Sequence, residues 1–407
     1  MIAAAGVAAP YVTAADSARG VAAVYTVSLL AFIPLVFAGL ALVFVRHGDA
    51  QARVLVWRSA IAALLLVFVG RMLPLHWMAW VMPSALAAPL VELGRAQITS
   101  ASPAGSSGSS VGLIDGVLIV YACGVFIVLA RTAAATIRLR RITANARRLD
   151  CEWTDLLRDT CETLGVRRPV RLVASARARV PMTWGIVRPT IMLPASAAAW
   201  TREQRRMVLL HELAHVRAAD WAFKAAARVV CALYWVHPGA WWLARGLDED
   251  CELACDDCVI AAGARRSDYA ELLALAADRL LPVESALALS TRRGLRARLR
   301  SVLDARRDVR PLARRWTLVA AAFTMSVAVP VSAVQLAPTR GVLTSLMRDA
   351  RWETRAYAVI RLASRADSVA VARAAAERDP SPRVRAWARY ALNLRAAPPA
   401  TPPTLRR

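Results

Sequence analysis

Lysine is almost absent from this chain of 407 residues. Lys224 is the only one, so the formal net charge of +24 comes almost entirely from arginine. Residues 1–20 contain no basic cluster, and we therefore expect no secretory signal peptide there. An arginine-rich chain could bind nucleic acid, but these arginines flank apolar segments, which favours a membrane protein.

The chain is rich in long apolar segments. Hydrophobic residues make up 57% of it and its mean hydropathy is +0.41, which is too apolar for an ordinary soluble protein. The sequence predicts four transmembrane helices, at about 20–45, 54–70, 112–130 and 316–336. Each segment alone could be a buried core helix, but four of this length in one chain favour membrane spans.

The distribution of arginine predicts the orientation in the membrane. Arginines are dense between the first two spans and in residues 131–150 and 292–315, whereas the loop 71–111 has few. The positive-inside rule therefore places residues 131–315 in the cytoplasm and both termini outside it. Of the seven cysteines, Cys123 lies in the third span and the others in the predicted cytoplasmic part, so we expect no disulfide framework.

One short stretch carries the chemistry. His211-Glu212-Leu-Ala-His215 has the form His-Glu-x-x-His. On a helix the two histidines share a face and can bind one zinc ion, while Glu212 can take a proton from a water on the metal. Thr201 and Gln204 have the spacing of a capping box and predict where this helix begins. The alternative is a core helix with two partly buried histidines.

A second helix, predicted from about Pro238 to Ala262, offers a third ligand. Glu252 and Asp256 are four residues apart and share a face, which suits a zinc ligand followed by an acid that holds a ligand histidine. Glu249 lies on the same face and is the rival ligand. A solvated acidic face is the remaining alternative.

Three cysteines and one histidine near this helix leave further alternatives open. Cys251, Cys255 and Cys258 could form a thiolate zinc site, but no fourth soft ligand is evident nearby, which favours reduced buried thiols. His237 could bind metal or assist catalysis. The preferred interpretation is a packed histidine before the proline that begins the helix.

Short strands are predicted at 169–174 and within 180–194, where Gly185 and Pro189 mark a turn. Zinc peptidases often line their substrate with an edge strand, which makes 184–193 a candidate for that role. A small structural hairpin is the alternative.

Several motifs resemble the membrane metallopeptidase family of the β-lactam-responsive sensor-transducers (BlaR/MecR type): His211–Trp221, Tyr234–Pro238, Glu252–Asp257 and the hairpin motifs Pro181–Gly185 and Arg188–Pro194. The match covers residues 20–336. The resemblance implies an α+β, gluzincin-like zincin domain at 131–315 in a bacterial inner-membrane protein. It also implies that His211, His215 and Glu252 bind Zn²⁺ and that Glu212 is the general base. Such proteins relay an outside signal to cleavage of a cytoplasmic protein, typically a transcriptional repressor.

The chain departs from these sensors after the fourth span. They carry a penicillin-binding domain whose acylated serine sits in Ser-x-x-Lys, and the only lysine here is in the predicted cytoplasmic part, so we expect no such acylation. Residues 349–362 and 379–392 instead repeat at a spacing of 30 and resemble HEAT-like helical repeats, predicted to be extracytoplasmic over 337–395. A plain helical hairpin is the alternative. Residues 396–407 read as a disordered tail.

The sequence as a whole predicts an α-helical membrane protein that acts as a regulatory zinc endopeptidase. Its expected partners are a cytoplasmic protein substrate such as a helix-turn-helix repressor, membrane lipids, and an extracytoplasmic protein that binds the repeat. The alternative is a non-catalytic receptor or scaffold whose structural zinc is closed by a fourth protein ligand, such as His237 or a cysteine. A nucleic-acid-binding regulator rests on arginine content alone, and no direct nucleic-acid contact is expected.

Overall fold

The computed structural model describes residues 28–45, 49–72, 78–81, 113–278, 286–307, 314–337 and 340–396. The start of the first predicted span, most of the loop 71–111 and nearly all of the predicted tail lie outside these ranges. The chain divides into two compact units, which are described separately. One comprises Ala31–Leu66 and Gly124–Ala328, and the other comprises Met1–Leu30, Val67–Cys123 and Val329–Arg407.

Helices dominate the described residues. In chain order they are α1 (Phe32–Phe44), α2 (Ala50–Met72), α3 (Leu113–Ala144), α4 (Cys151–Leu164), α5 (Arg202–Ala218), α6 (Asp220–Leu233), α7 (Pro238–Ala261), α8 (Arg266–Asp278), α9 (Ala286–Leu303), α10 (Arg314–Ala333), α11 (Arg340–Leu346), α12 (Trp352–Ala363), α13 (Val369–Arg378) and α14 (Pro382–Ala396). The strands are β1 (Met78–Val81), β2 (Arg147–Arg148), β3 (Arg171–Ser175), β4 (Met182–Trp184), β5 (Thr190–Pro194) and β6 (Val334–Ala337).

Two of the described helical segments, Ala50–Gly70 and Gly116–Ala144, are long and apolar enough to cross a membrane. The first lies in α2 and the second in α3, where the predicted second and third spans fall. The apolar helices Ser28–Phe44 and Arg315–Val331 are shorter, so the first and fourth spans stay predictions.

The predicted fourth span ends too late in the sequence. Helix α10 contains Pro330 and ends at Ala333, and strand β6 follows directly. Proline lacks a backbone N–H and clashes with the preceding turn, so Pro330 weakens the last turns of α10 before the chain enters β6. Strand β6 pairs in parallel with β1, which lies within the predicted loop 71–111 and was not foreseen as a strand.

A four-stranded sheet lies beside the helix that carries the two histidines. Its strand order is β2-β3-β5-β4, with β3 and β5 parallel and both outer pairs antiparallel. Strand β5 is buried along its whole length because it lies inside the sheet. Gly185 has a φ of 101°, which favours glycine, and it lets the chain turn from β4 towards β5. Strand β4 is therefore the edge strand nearest the candidate site.

The core of the same unit gathers around α5. Helix α5 packs against α4 and α7, and α6 packs against α7. The apolar side chains of α5 meet those of α4, β5 and α8, with Leu209, Leu210 and Leu213 fully buried. The predicted capping box is present, because Thr201 accepts from the Gln204 backbone and Gln204 accepts from the Thr201 backbone. A helix buried on several sides fixes the position of any side chain that it presents to a cavity.

The C-terminal helices of the other unit repeat the same contacts 30 residues apart. Arg355 donates to the carbonyl oxygens of Asp349 and Ala350, and Arg385 donates to those of Asp379 and Pro380. Arg355 also pairs with the buried carboxylate of Asp379 at 3.0 and 3.1 Å, which ties the first copy to the second. These contacts agree with an internal repeat, and the assignment to HEAT-like repeats stays a prediction.

Candidate metal centre

Two histidines and one glutamate bring their side chains together between α5 and α7. His211 and His215 lie on α5 and Glu252 lies on α7, and their ligand atoms all lie within 4.8 Å of one another. The Nε2 atoms of His211 and His215 are 3.4 and 3.5 Å from the two carboxylate oxygens of Glu252. These three side chains could hold one metal ion, with two imidazole nitrogens and a carboxylate as donors.

The outer nitrogen of His211 faces a buried polar group. His211 Nδ1 lies 3.2 Å from Asp256 Oδ1 and 3.0 Å from Tyr269 Oη, and the tyrosine donates to Asp256 at 2.6 Å. Arg298 of α9 contacts both oxygens of Asp256, at 2.8 and 2.7 Å. Because these acceptors face Nδ1, that nitrogen carries the proton and Nε2 keeps its lone pair for a metal.

The outer nitrogen of His215 is held in the same way by a different carboxylate. His215 Nδ1 lies 2.6 Å from Asp220 Oδ2, and Asp220 also pairs with Arg58 of α2. Ala219 adopts a left-handed backbone with φ 54°, which ends α5 and lets α6 begin at Asp220. This turn brings Asp220 back beside the histidine, so His215 also directs Nε2 towards Glu252.

Charges around Glu252 keep it ionised. Lys224 Nζ lies 3.4 Å from one of its oxygens, and Arg298 Nη1 lies 3.2 Å from the other. Burial alone would raise the pKa of Glu252, but the charges of His215, His211 and Arg298 and the hydrogen bond from His211 outweigh burial and hold the pKa well below its usual value. An ionised carboxylate is the form that binds a metal.

Burial and nearby charges also have opposite effects on the pKa values of His211 and Asp220. Burial lowers the pKa of His211, but hydrogen bonds to Asp256 and Glu252 raise it to about 9 in the metal-free protein. Burial would raise the pKa of Asp220, yet the hydrogen bond from His215 and the charges of His215 and Arg58 lower it. The negative charge around the two histidines therefore attracts a cation.

Glu212 lines the same pocket as the three candidate ligands and is 5% exposed. Thr183 of strand β4 donates to its carboxylate at 2.6 Å and lies 3.2 Å from its backbone oxygen. The pocket has a volume of about 530 Å³, and its wall includes the apolar residues Val208, Leu272 and Leu273. The arrangement places an acid and an edge strand beside a group that can bind metal.

The edge strand is shorter and earlier in the sequence than predicted. Residues 184–193 were the candidate, but β5 (Thr190–Pro194) lies inside the sheet and β4 (Met182–Trp184) forms its edge. Pro181, Met182 and Thr183 line the pocket. Alternation of residue types predicts a hairpin, but it does not indicate which strand remains unpaired on one side.

Other predicted candidates lie away from the three ligand atoms. Glu249 is exposed and lines a separate depression with Arg53 and Asp250, so it does not join His211 and His215. His237 caps the start of α7 and packs its ring 4.4 Å from that of Phe32. Neither residue belongs to a cluster with metal-ligand spacing among the described residues.

The cysteines of α7 are buried thiols. Cys255 Sγ lies 3.2 Å from His215 Nδ1, on the side of the ring that faces Asp220 and not on the side that faces Glu252. Burial is the largest cause that raises the pKa of Cys251, Cys255 and Cys258. Cys255 does form a second cluster with His215 and Asp220, but Asp220 is already paired with Arg58.

Sequence reasoning missed the residues that hold the candidate ligands in place. It singled out Asp256, which the structure brings to His211, but it did not assign roles to Asp220, Tyr269, Arg298, Arg58 or Thr183. Asp220 lies five residues after His215, a spacing that a continuous helix would not place on the same face. The left-handed turn at Ala219 makes the contact possible.

The residues of this site lie within a region of the chain that matches a known protein family. A family model described as BlaR1 peptidase M56 matches residues 27–301. The chain is 28% identical over 154 residues to "Regulatory protein BlaR1" of Bacillus licheniformis, covering 37% of this chain and 26% of that relative. It is 27% identical over 95 residues to the "Methicillin resistance mecR1 protein" of Staphylococcus aureus and of Staphylococcus epidermidis, covering 23% of this chain and 16% of each relative. The matches span about a quarter or less of the length of these curated relatives.

Proposed function

The chain belongs to the BlaR1 peptidase M56 family, and from that premise we propose that it is an integral-membrane zinc endopeptidase that cleaves a cytoplasmic regulator. One observation carries the proposal: two histidines and a glutamate with metal-ligand spacing share a pocket with Glu212. The family makes a metallopeptidase the expected activity. The matched relatives are named as a regulatory protein and as methicillin resistance proteins, which supports a regulatory role.

The donor set fits zinc. Two histidine nitrogens and one glutamate oxygen are a usual protein ligand set of catalytic zinc in peptidases. A histidine that binds metal is neutral, and with His211 neutral the carboxylates of Glu212, Asp220, Glu252 and Asp256 outnumber the described cations that contact them, which are Arg58, Lys224 and Arg298. That excess of negative charge favours a divalent cation. When bound, zinc would make water a stronger nucleophile and polarise the substrate carbonyl.

The chain's own residues would then do the remaining chemistry. Glu212 would take the proton of the attacking water and pass it to the leaving amine, since Glu252 is a candidate ligand and Asp220, which also lines the pocket, is already paired with His215 and Arg58. Thr183 would hold the Glu212 carboxylate in one orientation. Strand β4 has a free edge that could pair with an extended substrate backbone.

The proposed setting is a bacterial inner membrane with the peptidase domain in the cytoplasm. The arginine-rich segments 131–150 and 292–315 support this orientation, because positive loops stay inside. A cytoplasmic helix-turn-helix repressor would then be a suitable substrate. The C-terminal repeat would lie outside, where it could bind a protein partner or the membrane surface and receive the signal.

Metal analysis of purified full-length protein tests the proposal. We expect His211→Ala, His215→Ala and Glu252→Ala each to lose zinc and proteolysis, because each removes a ligand. Glu212→Ala should keep zinc and lose proteolysis, because Glu212 moves only a proton. Glu249→Ala is the matched control on α7 and should retain both. If Glu249→Ala loses zinc and Glu252→Ala retains it, the third ligand is Glu249 and the assignment to Glu252 is wrong.

Cleavage in cells tests the substrate. New protein N-termini should appear in cells that produce the parent chain and be absent with Glu212→Ala, and they should belong to a cytoplasmic DNA-binding protein. New N-termini only in extracytoplasmic proteins would contradict the orientation. If the parent binds zinc yet produces no new N-termini under any inducing condition, the alternative of a receptor with structural zinc is correct.

A further inference from the structure

Each candidate metal histidine contacts a carboxylate, and each of these carboxylates forms an ion pair with an arginine. His211 contacts Asp256, which Arg298 holds through two contacts of 2.7 and 2.8 Å. His215 contacts Asp220, which pairs with Arg58. We call these two series the Arg298 relay and the Arg58 relay. The arginines come from α9 and α2, and neither helix contributes a candidate ligand.

Burial makes the arginines necessary. Asp220 is 2% exposed and Asp256 is 0% exposed. Burying a carboxylate without a partner charge is costly. A guanidinium at each carboxylate offsets that cost and holds the carboxylate in place beside its histidine. The acid then fixes the tautomer and the ring orientation of its histidine.

The two arginines of the relays lie in or next to apolar helices. Arg58 lies in the apolar segment Ala50–Gly70, which is long enough to cross a membrane. Arg298 lies in α9, and the apolar helix α10 follows α9 in the chain after residues 304–313. One arginine therefore belongs to an apolar helix and the other to the helix that precedes one in the chain. A shift of either segment would withdraw an arginine from the metal centre.

We propose that Arg58 and Arg298 are positioning residues that make metal affinity depend on the docking of α2 and α9 against the peptidase helices. The inference rests on the proposed metal site and deepens it. It assigns the regulation of that site to the two helices that carry the relays. Bound metal and docked helices then stabilise each other, because linkage between two equilibria is reciprocal.

The chain offers matched controls. Helix α2 also docks through Arg53, which pairs with Asp250, and the segment after α9 docks through Arg307, which pairs with Asp257 at 2.8 Å. Asp250 and Asp257 are 3% and 6% exposed, so they are buried nearly as deeply as the relay carboxylates. Neither acid contacts a histidine among the contacts of the described residues. Removing Arg307 leaves the buried Asp257 without its paired cation, and removing Arg53 leaves Asp250 with the Trp57 donor at 2.7 Å; neither change removes a contact of a relay.

Zinc affinity of the full-length protein in lipid nanodiscs, measured by competition with a chromophoric chelator, tests the proposal. We expect Arg58→Met and Arg298→Met each to weaken zinc binding by roughly ten- to a hundredfold, the usual effect of losing a group that orients a ligand. Arg53→Met and Arg307→Met should stay within about twofold of the parent on the same reasoning. Arg298→Lys should recover part of the loss, because an ammonium supplies the charge but not the two-point contact.

A double-variant cycle separates positioning from general damage. If Arg298 acts through Asp256, Arg298→Met should lose less affinity when Asp256 is already Asn than it does in the parent. The change that remains in the Asp256→Asn background then measures the direct contact of Arg298 with Glu252 at 3.2 Å. Equal losses in both backgrounds, or equal losses in the relay variants and their matched controls, would overturn the proposal. So would parental affinity in both relay variants. Failure of the parent itself to bind zinc is a different result, because it would reject the proposed metal site instead.

Discussion

Thr183 gives the most direct test of how the pocket orients Glu212. Thr183→Val keeps the branched shape and removes the hydroxyl that donates to the Glu212 carboxylate at 2.6 Å. A hydrogen bond to a charged group contributes about 1.5–3 kcal/mol, and the half-buried position of Thr183 places this one near the lower end. Because about 1.36 kcal/mol corresponds to a tenfold change in rate, a loss of about 1.5–2 kcal/mol lowers kcat roughly ten- to thirtyfold.

The loss should appear in kcat and not in KM, since Glu212 is expected to act on a proton in the reaction and not on the bound substrate. The assay is steady-state cleavage, by the zinc-loaded protein, of the peptide that the parent cleaves fastest in a mixed library. Zinc content should be unchanged, because Thr183 does not contact a candidate ligand. Thr183→Ser keeps the hydroxyl and should stay close to the parent. A kcat within twofold of the parent in Thr183→Val would refute the role given to this hydroxyl.

Four further outcomes are expected. Chelation with EDTA should abolish cleavage and lower the thermal midpoint, and zinc but not magnesium should restore both; rescue by magnesium would contradict the ligand set. Arg355→Met should destabilise the C-terminal helices by about 3–5 kcal/mol, because it leaves the buried carboxylate of Asp379 without its paired cation. Arg385→Met should destabilise them less, since Arg385 donates to a backbone oxygen, and hydrogen exchange measures both changes. An impermeant thiol reagent should label cysteines placed at 95–110 and 340–396 in intact cells but not those at 140–200, and the reverse pattern would invert the orientation. Deleting 341–407 should leave zinc affinity unchanged and remove the response to the inducing condition; a normal response would exclude the repeat as sensor.

Helix α5 and its two histidines could be predicted from the sequence because their signals are local. Four residues of spacing place His211 and His215 on one face of any helix, and the cap at Thr201 depends on the three residues that follow it. The choice between Glu249 and Glu252 as third ligand depends on how α7 packs against α5, which local sequence does not show. Helical periodicity gives the face of a residue but not its distance along the helix axis from the partner. Only the packing of α7 on α5 shows that Glu252 faces the histidines.

The relays could not be predicted for a different reason. Arg58 and Asp220 are 162 residues apart in sequence, and Arg298 and Asp256 are 42 apart. In a chain so rich in arginine, nothing in the local sequence distinguishes these two from arginines on the surface. Arg58 also looks like a residue that could extend to the membrane interface from the end of a span. The structure instead pairs it with Asp220 and places its guanidinium 4.4 Å from the centre of the Phe223 ring.

Three elements outside α5 set the orientation of the three functional groups on α5. Arg298 of α9 acts on His211 through Asp256, Arg58 of α2 acts on His215 through Asp220, and Thr183 of β4 acts on Glu212 directly. The helix itself is rigid, because most of its side chains are buried. A displacement of about 1 Å in a catalytic group can cost roughly a hundredfold in rate, so activity is most sensitive to the elements at the edge of the site. Of those three elements, α2 is itself an apolar helix and α9 precedes the apolar helix α10 in the chain. A signal that reaches the peptidase through the membrane would therefore act on the histidines before it could disturb the core.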